Sequence, residues 1–248
     1  MAKKSGFQMG AFVAGYDLSG DVGAINDIST PRAVFDVSNL DKTAVERLLG
    51  RADGAFSFAN WFNDAAGQTH PALSGLPTTD VMAIVAMGNA VGDPAFFGVF
   101  KQVGYDPTKN ADGSVTETIE GVGTVGSDQL IGTEWGKMLT ALSDSFASAS
   151  SAASYDDTAQ TTDGVRAMIQ PISLGSGTPT VVIEDSANDS TWATLVTFGT
   201  VEVNVPEEVM ASGTVDQYLR ITTTGTFTDL VIALAYRRGL TEDDVAYA

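Results

Sequence analysis

The sequence contains no cysteine and only one histidine among its 248 residues. Without cysteine, the chain forms no disulfide and offers no thiolate as a metal ligand or as a nucleophile. The single imidazole, on His70, excludes any chemistry that requires two imidazoles. We therefore expect neither a cysteine- or histidine-based metal centre nor thiol catalysis.

Basic residues are also scarce, since 13 Lys and Arg stand against 31 Asp and Glu and give a formal charge of −18. This balance argues against binding nucleic acid or an anionic membrane through a basic face, because affinity for phosphate depends on Lys and Arg. Only 18% of the residues are charged and 44% are hydrophobic. This composition indicates a folded chain and not an acidic disordered one.

Long apolar runs are missing as well. No segment approaches the ~18 to 20 apolar residues of a membrane helix. The start, Met1-Ala-Lys-Lys-Ser5, lacks the apolar core of a signal peptide. We therefore expect a protein that is made in the cytoplasm and has no membrane partner.

The 26 glycines and many Thr, Val and Ser residues predict a mainly β fold with one short helix. The helix is predicted over residues 41–50, with Asp41 as N-cap, Leu40 packed on Val45, and Gly50 at its C-terminal end. A loop at residues 106–113, rich in turn residues, joins two strands as a hairpin. The strands are predicted at residues 55–62, 81–87, 95–105, 114–122, 134–142, 165–172, 179–184, 192–198, 201–205, 217–223 and 227–236.

The stretch from Ser143 to Ser154 is almost entirely Ser and Ala, and the residues up to 163 are polar, which indicates a linker. The short strands beyond it have the spacing of a β-sandwich, of jelly-roll or Ig-like type. Both ends of the chain lack a clear period and are interpreted as arms. The predicted segments are an N-terminal arm (1–15), a first β domain (16–142), the linker (143–163), a C-terminal β-sandwich domain (164–236) and a C-terminal arm (237–248).

No group of residues predicts an enzyme, a catalytic residue or a cofactor site. The glycines of 121–126 match a dinucleotide-binding pattern, but no helix is predicted to follow them. His70 lies in a turn-like Gln-Thr-His-Pro context without a partner nucleophile. Glu117 and Glu120 point to opposite faces of a strand and cannot flank one bond.

The acidic loop Glu184–Ser190 offers several oxygen atoms of the kind that calcium binds. It lacks the spacing of an EF-hand, and a hairpin turn between two strands explains the same residues. Both interpretations stay open at this point, and no metal ligand is assigned.

Several stretches resemble the major tail proteins, or tail tube proteins, of long-tailed siphophages that infect actinobacteria. The resemblance covers most of residues 10–142. Residues 185–186, 190–192 and 217–220 are similar to sandwich domains appended to some of these proteins and to discoidin-like jelly rolls. The stretches in the first part are 16–21 (YDLSGD), 28–32 (ISTPR), 41–47 (DKTAVER), 62–68 (FNDAAGQ) with His70-Pro71, 76–80 (LPTTD), 101–107 (KQVGYDP) and 134–136 (EWG).

The resemblance implies a tail-tube-type β-sandwich or barrel domain in a structural virion protein. Such proteins polymerise as stacked rings, usually hexamers, into a hollow tube through which DNA passes without specific binding during ejection. The implied partners are other copies of the chain and the tape measure, terminator and distal tail proteins. The implied location is the virion tail, assembled in the cytoplasm of the host bacterium, and no cofactor is expected.

Within this scheme we expect Thr116, Thr118 and Glu120 to face the lumen, on the polar side of one strand. Asp106, Pro107, Asn110 and Asp112, in the loop 106–113, and the two arms are expected at ring-to-ring contacts, with residues 164–236 on the outside of the tube. An acidic lumen would keep DNA from adhering.

Two alternatives remain. The first is a capsid decoration protein, which binds at symmetry points and does not polymerise axially. The second is a tail subunit whose C-terminal domain also binds glycans on the host surface through exposed aromatic residues, with Trp192 and Tyr218 as candidates.

Overall fold

The computed structural model describes residues 8–75, 79–125, 133–142, 144–199 and 201–240. Within them the chain is mainly β with one short helix, which confirms the predicted fold class. The elements of the first part are β1 (Gly10–Val13), β2 (Tyr16–Asp17), β3 (Val22–Ser29), β4 (Arg32–Asp36), β5 (Arg47–Ala52), β6 (Ala55–Trp61), α1 (Thr69–Leu73), β7 (Val81–Ala86), β8 (Pro94–Lys109), β9 (Val115–Gly123) and β10 (Thr133–Met138). Those of the second part are β11 (Ser145–Phe146), β12 (Tyr155–Asp156), β13 (Val165–Ser173), β14 (Ser176–Gly177), β15 (Thr180–Ser186), β16 (Ala193–Thr197), β17 (Glu207–Ala211), β18 (Tyr218–Thr224), β19 (Phe227–Thr228) and β20 (Leu230–Arg238). No helix in these ranges is long and apolar enough to span a membrane.

A twelve-stranded antiparallel sheet joins the two parts of the chain. Its main path runs β17-β13-β20-β10-β8-β7-β1-β2, and β8 also pairs with β9, which leads through β6 to β3. Because β20 lies directly beside β10, the sheet continues across residues 143–163. That stretch itself contributes β11, which pairs with β20, and β12, which pairs with β18 in a separate four-stranded sheet. The division into five segments remains a prediction, but the strands pair across it.

Three apolar clusters fill the spaces between these sheets. The first lies between β1, β7 and β8 on one side and β6 and β9 on the other, and includes Phe56, Phe58 and Phe100. The second lies between β13 and β20 and the four-stranded sheet β12-β18-β15-β16. The third brings Phe12 of β1 together with Met168 of β13, so the large sheet curls until its distant strands meet.

The predicted N-terminal arm is shorter than residues 1–15. Gly10–Val13 form β1, all four residues are buried, and the strand lies between β2 and β7. The apolar run was too short to show a period, yet it fills a central position in the sheet. At the other end, Arg237 and Arg238 belong to β20 and not to an arm. Residues 1–7 and 241–248 lie outside the described residues.

The predicted helix over residues 41–50 is wrong. Arg47–Ala52 form β5, which pairs with β4 in a separate two-stranded hairpin, with Phe35 opposite Leu48. A short helix needs a partner for its apolar stripe, and no such surface lies against this segment, whereas pairing with β4 bonds its backbone. The helix that does form, α1, was missed because its five residues contain a His-Pro that favours a turn.

The predicted strand over residues 201–205 is also wrong. These residues form no strand, and the pairing segment is β17, which begins at Glu207. Asn204 adopts a left-handed backbone conformation with φ of 62°, and Pro206 lies two residues later, so the chain turns here before it can extend.

Candidate assembly interface

Strands β3, β6, β9 and β8 lie side by side in that order. On β9, Glu117 and Ile119 are buried and point to the core, while Thr116, Thr118 and Glu120 lie on the opposite face, half-buried or exposed. The predicted alternation of the two faces is therefore seen in the structure. Whether the polar face lines a lumen remains a prediction.

Carboxylates from three strands share this outward face. Asp27 of β3 lies opposite Ser57, and Ser57 lies opposite Glu120. Asp106 of β8 lies opposite Thr118 and is exposed. We name this surface, Asp27, Asp106 and Glu120 with the hydroxyls between them, the acidic sheet face.

The four neighbouring strands that carry the acidic sheet face, β3-β6-β9-β8, form one section of the large sheet, and this section has two unpaired edges among the described residues. β3 pairs only with β6, and β8 beyond Phe100 pairs only with β9. An unpaired edge exposes backbone donors and acceptors that can pair with another chain. Pro107 lies on the β8 edge and lacks an N–H, so pairing there is favoured at the residues before it.

The loop predicted over residues 106–113 is shorter than expected, because Asp106 and Pro107 extend β8. The turn itself runs from Asn110 to Ser114, whose carbonyl accepts a hydrogen bond from the Asn110 N–H at 2.8 Å. Asp112 accepts from the hydroxyl and N–H of Ser114, which holds the pKa of its carboxyl below the usual value. A role of these four residues in ring stacking stays a prediction.

The β4–β5 hairpin exposes a set of large apolar side chains that the sequence reasoning missed. Every residue of β4 is exposed, and Phe35 and Leu49 are 57% and 67% accessible. The full set is Val34, Phe35, Val37, Leu40, Val45, Leu48 and Leu49. The signal was present as two apolar segments around a polar turn, but the same Val and Leu positions also fit a helical stripe. We name this set the apolar hairpin.

His70 has a packing role. Its Nδ1 lies 2.5 Å from the hydroxyl of Tyr105, and its ring packs on Phe62. Burial, together with the nearby carboxylate of Glu117, raises the pKa of Tyr105. Glu117 accepts a hydrogen bond from the hydroxyl of Thr69 at 2.6 Å, so these contacts attach α1 to β8 and β9.

Several oxygens of the acidic loop accept hydrogen bonds from the protein. Glu184 accepts bonds from Arg220 and Thr222, each at 2.7 Å. Asn188 accepts bonds from the N–H groups of residues 190 and 191. Across the described ranges, no three His, Cys, Asp or Glu residues come together in a group that could hold a metal ion.

The two aromatic candidates for glycan binding lie outside the apolar clusters. Trp192 and Tyr218 are both half-buried, and the guanidinium of Arg220 lies 4.1 Å from the centre of the Trp192 ring. Arg220 is paired at the same time with Glu184. Glycan binding at this surface stays a prediction.

The buried carboxyl group of Asp185 leads to a prediction of how the stability of the fold changes with pH. Burial raises the pKa of its carboxyl, and nearby Asp216 adds to the effect, while the N–H of Asp216 donates a hydrogen bond to it. A raised folded-state pKa means that stability present at low pH is lost as pH rises through that pKa. Asp185→Asn keeps an acceptor but removes the charge, so the variant should gain stability relative to the unmutated chain as pH rises from the ordinary pKa of an aspartate through the raised pKa of Asp185.

Urea unfolding at several pH values measures this difference. The matched control is Asp189→Asn in the same loop, where the residue is exposed. A difference for Asp185→Asn that does not change with pH, or that falls as pH rises, would contradict the assignment.

Comparison with known proteins gives only distant likenesses. No protein-family model and no curated protein matches the chain. Among solved structures, the tail of an empty gene transfer agent particle with C6 symmetry is similar at 16% identity and a TM-score of 0.41, over 50% of this chain and 96% of that one. The Dit hub protein of phage SPP1 is similar at 9% identity and a TM-score of 0.31, over 92% and 98%. A chain of the phage p2 baseplate is similar at 7% identity and a TM-score of 0.32, over 93% and 98%.

The three similar structures are described as a particle tail, a phage hub protein and a phage baseplate. At such TM-scores the likeness establishes no ring, tube or partner for this chain.

Proposed function

We propose that this chain is a structural subunit of a phage tail that assembles through its own sheet edges into rings, which stack into the tail tube. The observation that carries the proposal is the section β3-β6-β9-β8 of the large sheet, with an unpaired edge on each side and an acidic outward face. Since each neighbour in this sheet is antiparallel, β3 and β8 run in opposite directions. The β3 edge of one copy can therefore pair with the β8 edge of the next in the same antiparallel order.

This contact joins two different surfaces, so it is heterologous and produces a ring when the rotation closes. Six copies would contribute 24 strands to one barrel. With a strand spacing of about 4.8 Å and a tilt of roughly 40°, that barrel has a backbone diameter of about 48 Å. Closure would remove both unpaired edges of this section in every copy.

The acidic sheet face supports a channel that DNA passes without binding. Asp27, Asp106 and Glu120 place negative charge on one surface, and Lys101 at its border is paired with Asp80. DNA affinity depends on releasing counterions from phosphate to basic groups. The repulsion from such a wall reaches about 8 Å at physiological salt, so it would act as a thin non-adhesive layer.

In this assembly, Thr116 and Thr118 face the lumen beside Glu120, and residues 164–236 lie on the outside of the tube. The partners at the tube ends are the tape measure, terminator and distal tail proteins. Assembly takes place in the host cytoplasm, and the product is part of the virion tail.

The cysteine-free sequence makes disulfide trapping a direct test. In one copy, Asp27 and Val103 lie on opposite edges of four strands, roughly 14 Å apart, which is beyond the ~7 Å limit of a disulfide. Asp27→Cys/Val103→Cys, with Asp27→Cys/Asp106→Cys to allow for a different register, should therefore link only between copies. Mild oxidation should give a ladder on a non-reducing gel that ends at the ring number, six for a hexamer.

The matched control is Asp27→Cys/Thr197→Cys, with the second cysteine on an exposed residue of β16. Equal ladders for test and control pairs would overturn the edge-to-edge interface. Negative-stain microscopy of the unmutated chain separates the alternatives: tubes or stacked rings support the proposal, whereas compact trimers or monomers favour a capsid decoration protein.

A further inference from the structure

A group of buried oxygen atoms lies between β6, β9 and α1. Asn60 of β6 is directly opposite Glu117 of β9, both side chains face the core, and each residue is 1% accessible. The carboxyl group of Asp21, immediately before β3, is also buried. The N–H of Thr69 donates to Asp21 Oδ2 at 3.2 Å, and the Thr69 hydroxyl donates to Glu117 Oε1 at 2.6 Å. Since one residue contacts both carboxylates, we name Asp21, Asn60 and Glu117, with the carbonyl of Trp61, the buried oxygen cluster.

The two carboxylates of this cluster form no ion pair with any described residue. Asp21 accepts hydrogen bonds from the amide of Asn63 at 2.8 Å and from Thr69, and Glu117 accepts one from Thr69. The hydroxyl of Tyr105, which lies near Glu117, is also uncharged, because burial raises its pKa. Buried charges in proteins are paired with an opposite charge or bind a metal ion, since an unpaired buried carboxylate is costly. The cluster therefore favours a bound cation.

The cluster also has acceptor atoms that no hydrogen-bond donor reaches. The single hydroxyl hydrogen of Thr69 is shared between Glu117 Oε1 and the carbonyl of Trp61, the latter at 3.3 Å. Glu117 Oε2 and Asn60 Oδ1 are buried and have no hydrogen-bond partner. These two side chains lie opposite each other on neighbouring strands, so their unpartnered oxygens border the same space. Asn60 Nδ2 is unpartnered as well, so an occupant of this space must satisfy both ends of the amide.

We propose that the buried oxygen cluster binds one calcium ion. Its protein ligands are carboxylate oxygens of Asp21 and Glu117, the amide oxygen of Asn60 and the carbonyl oxygen of Trp61, and these are the hard oxygen donors that calcium binds. Water is also a ligand of calcium, and a water on the ion can accept the N–H of Asn60. Only two carboxylates take part, so the site differs from a cluster of three acidic residues.

The calcium ion would connect three parts of one subunit. Asp21 precedes β3, Asn60 lies in β6, and Glu117 lies in β9, while Thr69 attaches α1 to the same carboxylates. The ion therefore acts on the stability of the single chain. This inference goes beyond the proposed tail function and does not depend on whether copies form rings.

Calcium binding to the full chain tests the site directly. After treatment with EDTA and gel filtration, calorimetric titration with calcium chloride should show one saturable ion per chain. Glu117→Gln keeps the size of the side chain but removes its charge, so it should lower the affinity by about ten-fold or more. The matched control is Glu120→Gln on the acidic sheet face, three residues further along β9, and it should bind calcium as the unmutated chain does.

Melting of the unmutated chain gives a second measurement that does not depend on the folding of a variant. Calcium at about a hundred-fold excess over its Kd should raise the melting temperature by several degrees, because the ion binds the folded state, and EDTA should reverse the shift. Potassium chloride at equal ionic strength should not reproduce it. The proposal is overturned if the unmutated chain shows no saturable calcium binding, if Glu117→Gln binds as tightly as the unmutated chain, or if calcium leaves the melting temperature unchanged.

Discussion

Replacing Glu208 with Ala is expected to lower the free energy of unfolding by about 3–5 kcal/mol, because it leaves a buried arginine without its carboxylate. The side chains of Arg166 and Glu208 are 2% and 1% accessible, and the Arg166 Nε donates to Glu208 Oε1 at 2.5 Å. The guanidinium also lies 6.0 Å from the centre of the Phe97 ring, in the third apolar cluster. This loss is a large part of the ~5–15 kcal/mol by which domains are usually stable.

Urea unfolding at a protein concentration too low for assembly measures the effect. Glu202→Ala changes an exposed carboxylate five residues before the start of β17 and should be neutral within about 0.5 kcal/mol. The double variant Arg166→Met/Glu208→Leu should recover much of the loss, since a buried pair can be replaced by apolar groups of similar volume. A loss below 1 kcal/mol for Glu208→Ala would contradict the prediction. It would show that the buried ion pair contributes little to holding β13 and β17 together.

Adding a single methyl group at Gly136 is expected to cost at least about 2 kcal/mol and to lower the yield of folded protein. Gly136 lies in β10, between β8 and β20. A Cβ at this position would lie 2.2 Å from the carbonyl oxygen of Tyr236 and 2.7 Å from Cε1 of Phe97. The first of these atoms is backbone, so relief requires a shift of the strand that connects the two parts of the chain.

Thermal unfolding of Gly136→Ala measures this effect as a fall in the melting temperature. Gly20→Ala is the matched control, because no atom lies within 4 Å of its added Cβ and its φ is not in the left-handed region. The prediction fails if the two variants have the same melting temperature. That result would mean that β10 and β20 can move apart without a loss of stability.

The sequence predicted those parts of the fold in which a local pattern has one interpretation. The alternation of Thr116, Thr118 and Glu120 with Ile119 matches a strand and nothing else, and the structure has that strand with those two faces. The stripe of Val45, Leu48 and Leu49 matches both a helix and a hairpin. The choice between helix and hairpin depends on whether the fold offers a surface on which a helix can pack. The local sequence does not predict such a surface.

Long-range pairing was the other limit. The Ser- and Ala-rich stretch from 143 has the composition of a linker, yet Phe146 is buried in the second apolar cluster, and Asp157 is buried in ion pairs with Lys137 and Arg238. These partners come from β10 and β20, which are about 100 residues apart in the chain. Composition reports the average polarity of such a stretch and not the few side chains through which it is attached. The unpaired edges of β3 and β8 were missed for the same reason. A strand lies at an edge only if no other strand pairs with its second side, and this depends on the rest of the fold.

The pairing of β20 with β10 and of β13 with β20 has a mechanical consequence. A force on the C-terminal part of a subunit would reach the N-terminal part through rows of interstrand hydrogen bonds and not through a flexible tether. Bending of a tube built from such subunits would therefore have to occur between rings, where contacts involve side chains, and not within a subunit. Each ring would then behave as a rigid disc, and the stiffness of the whole filament would be set by its joints.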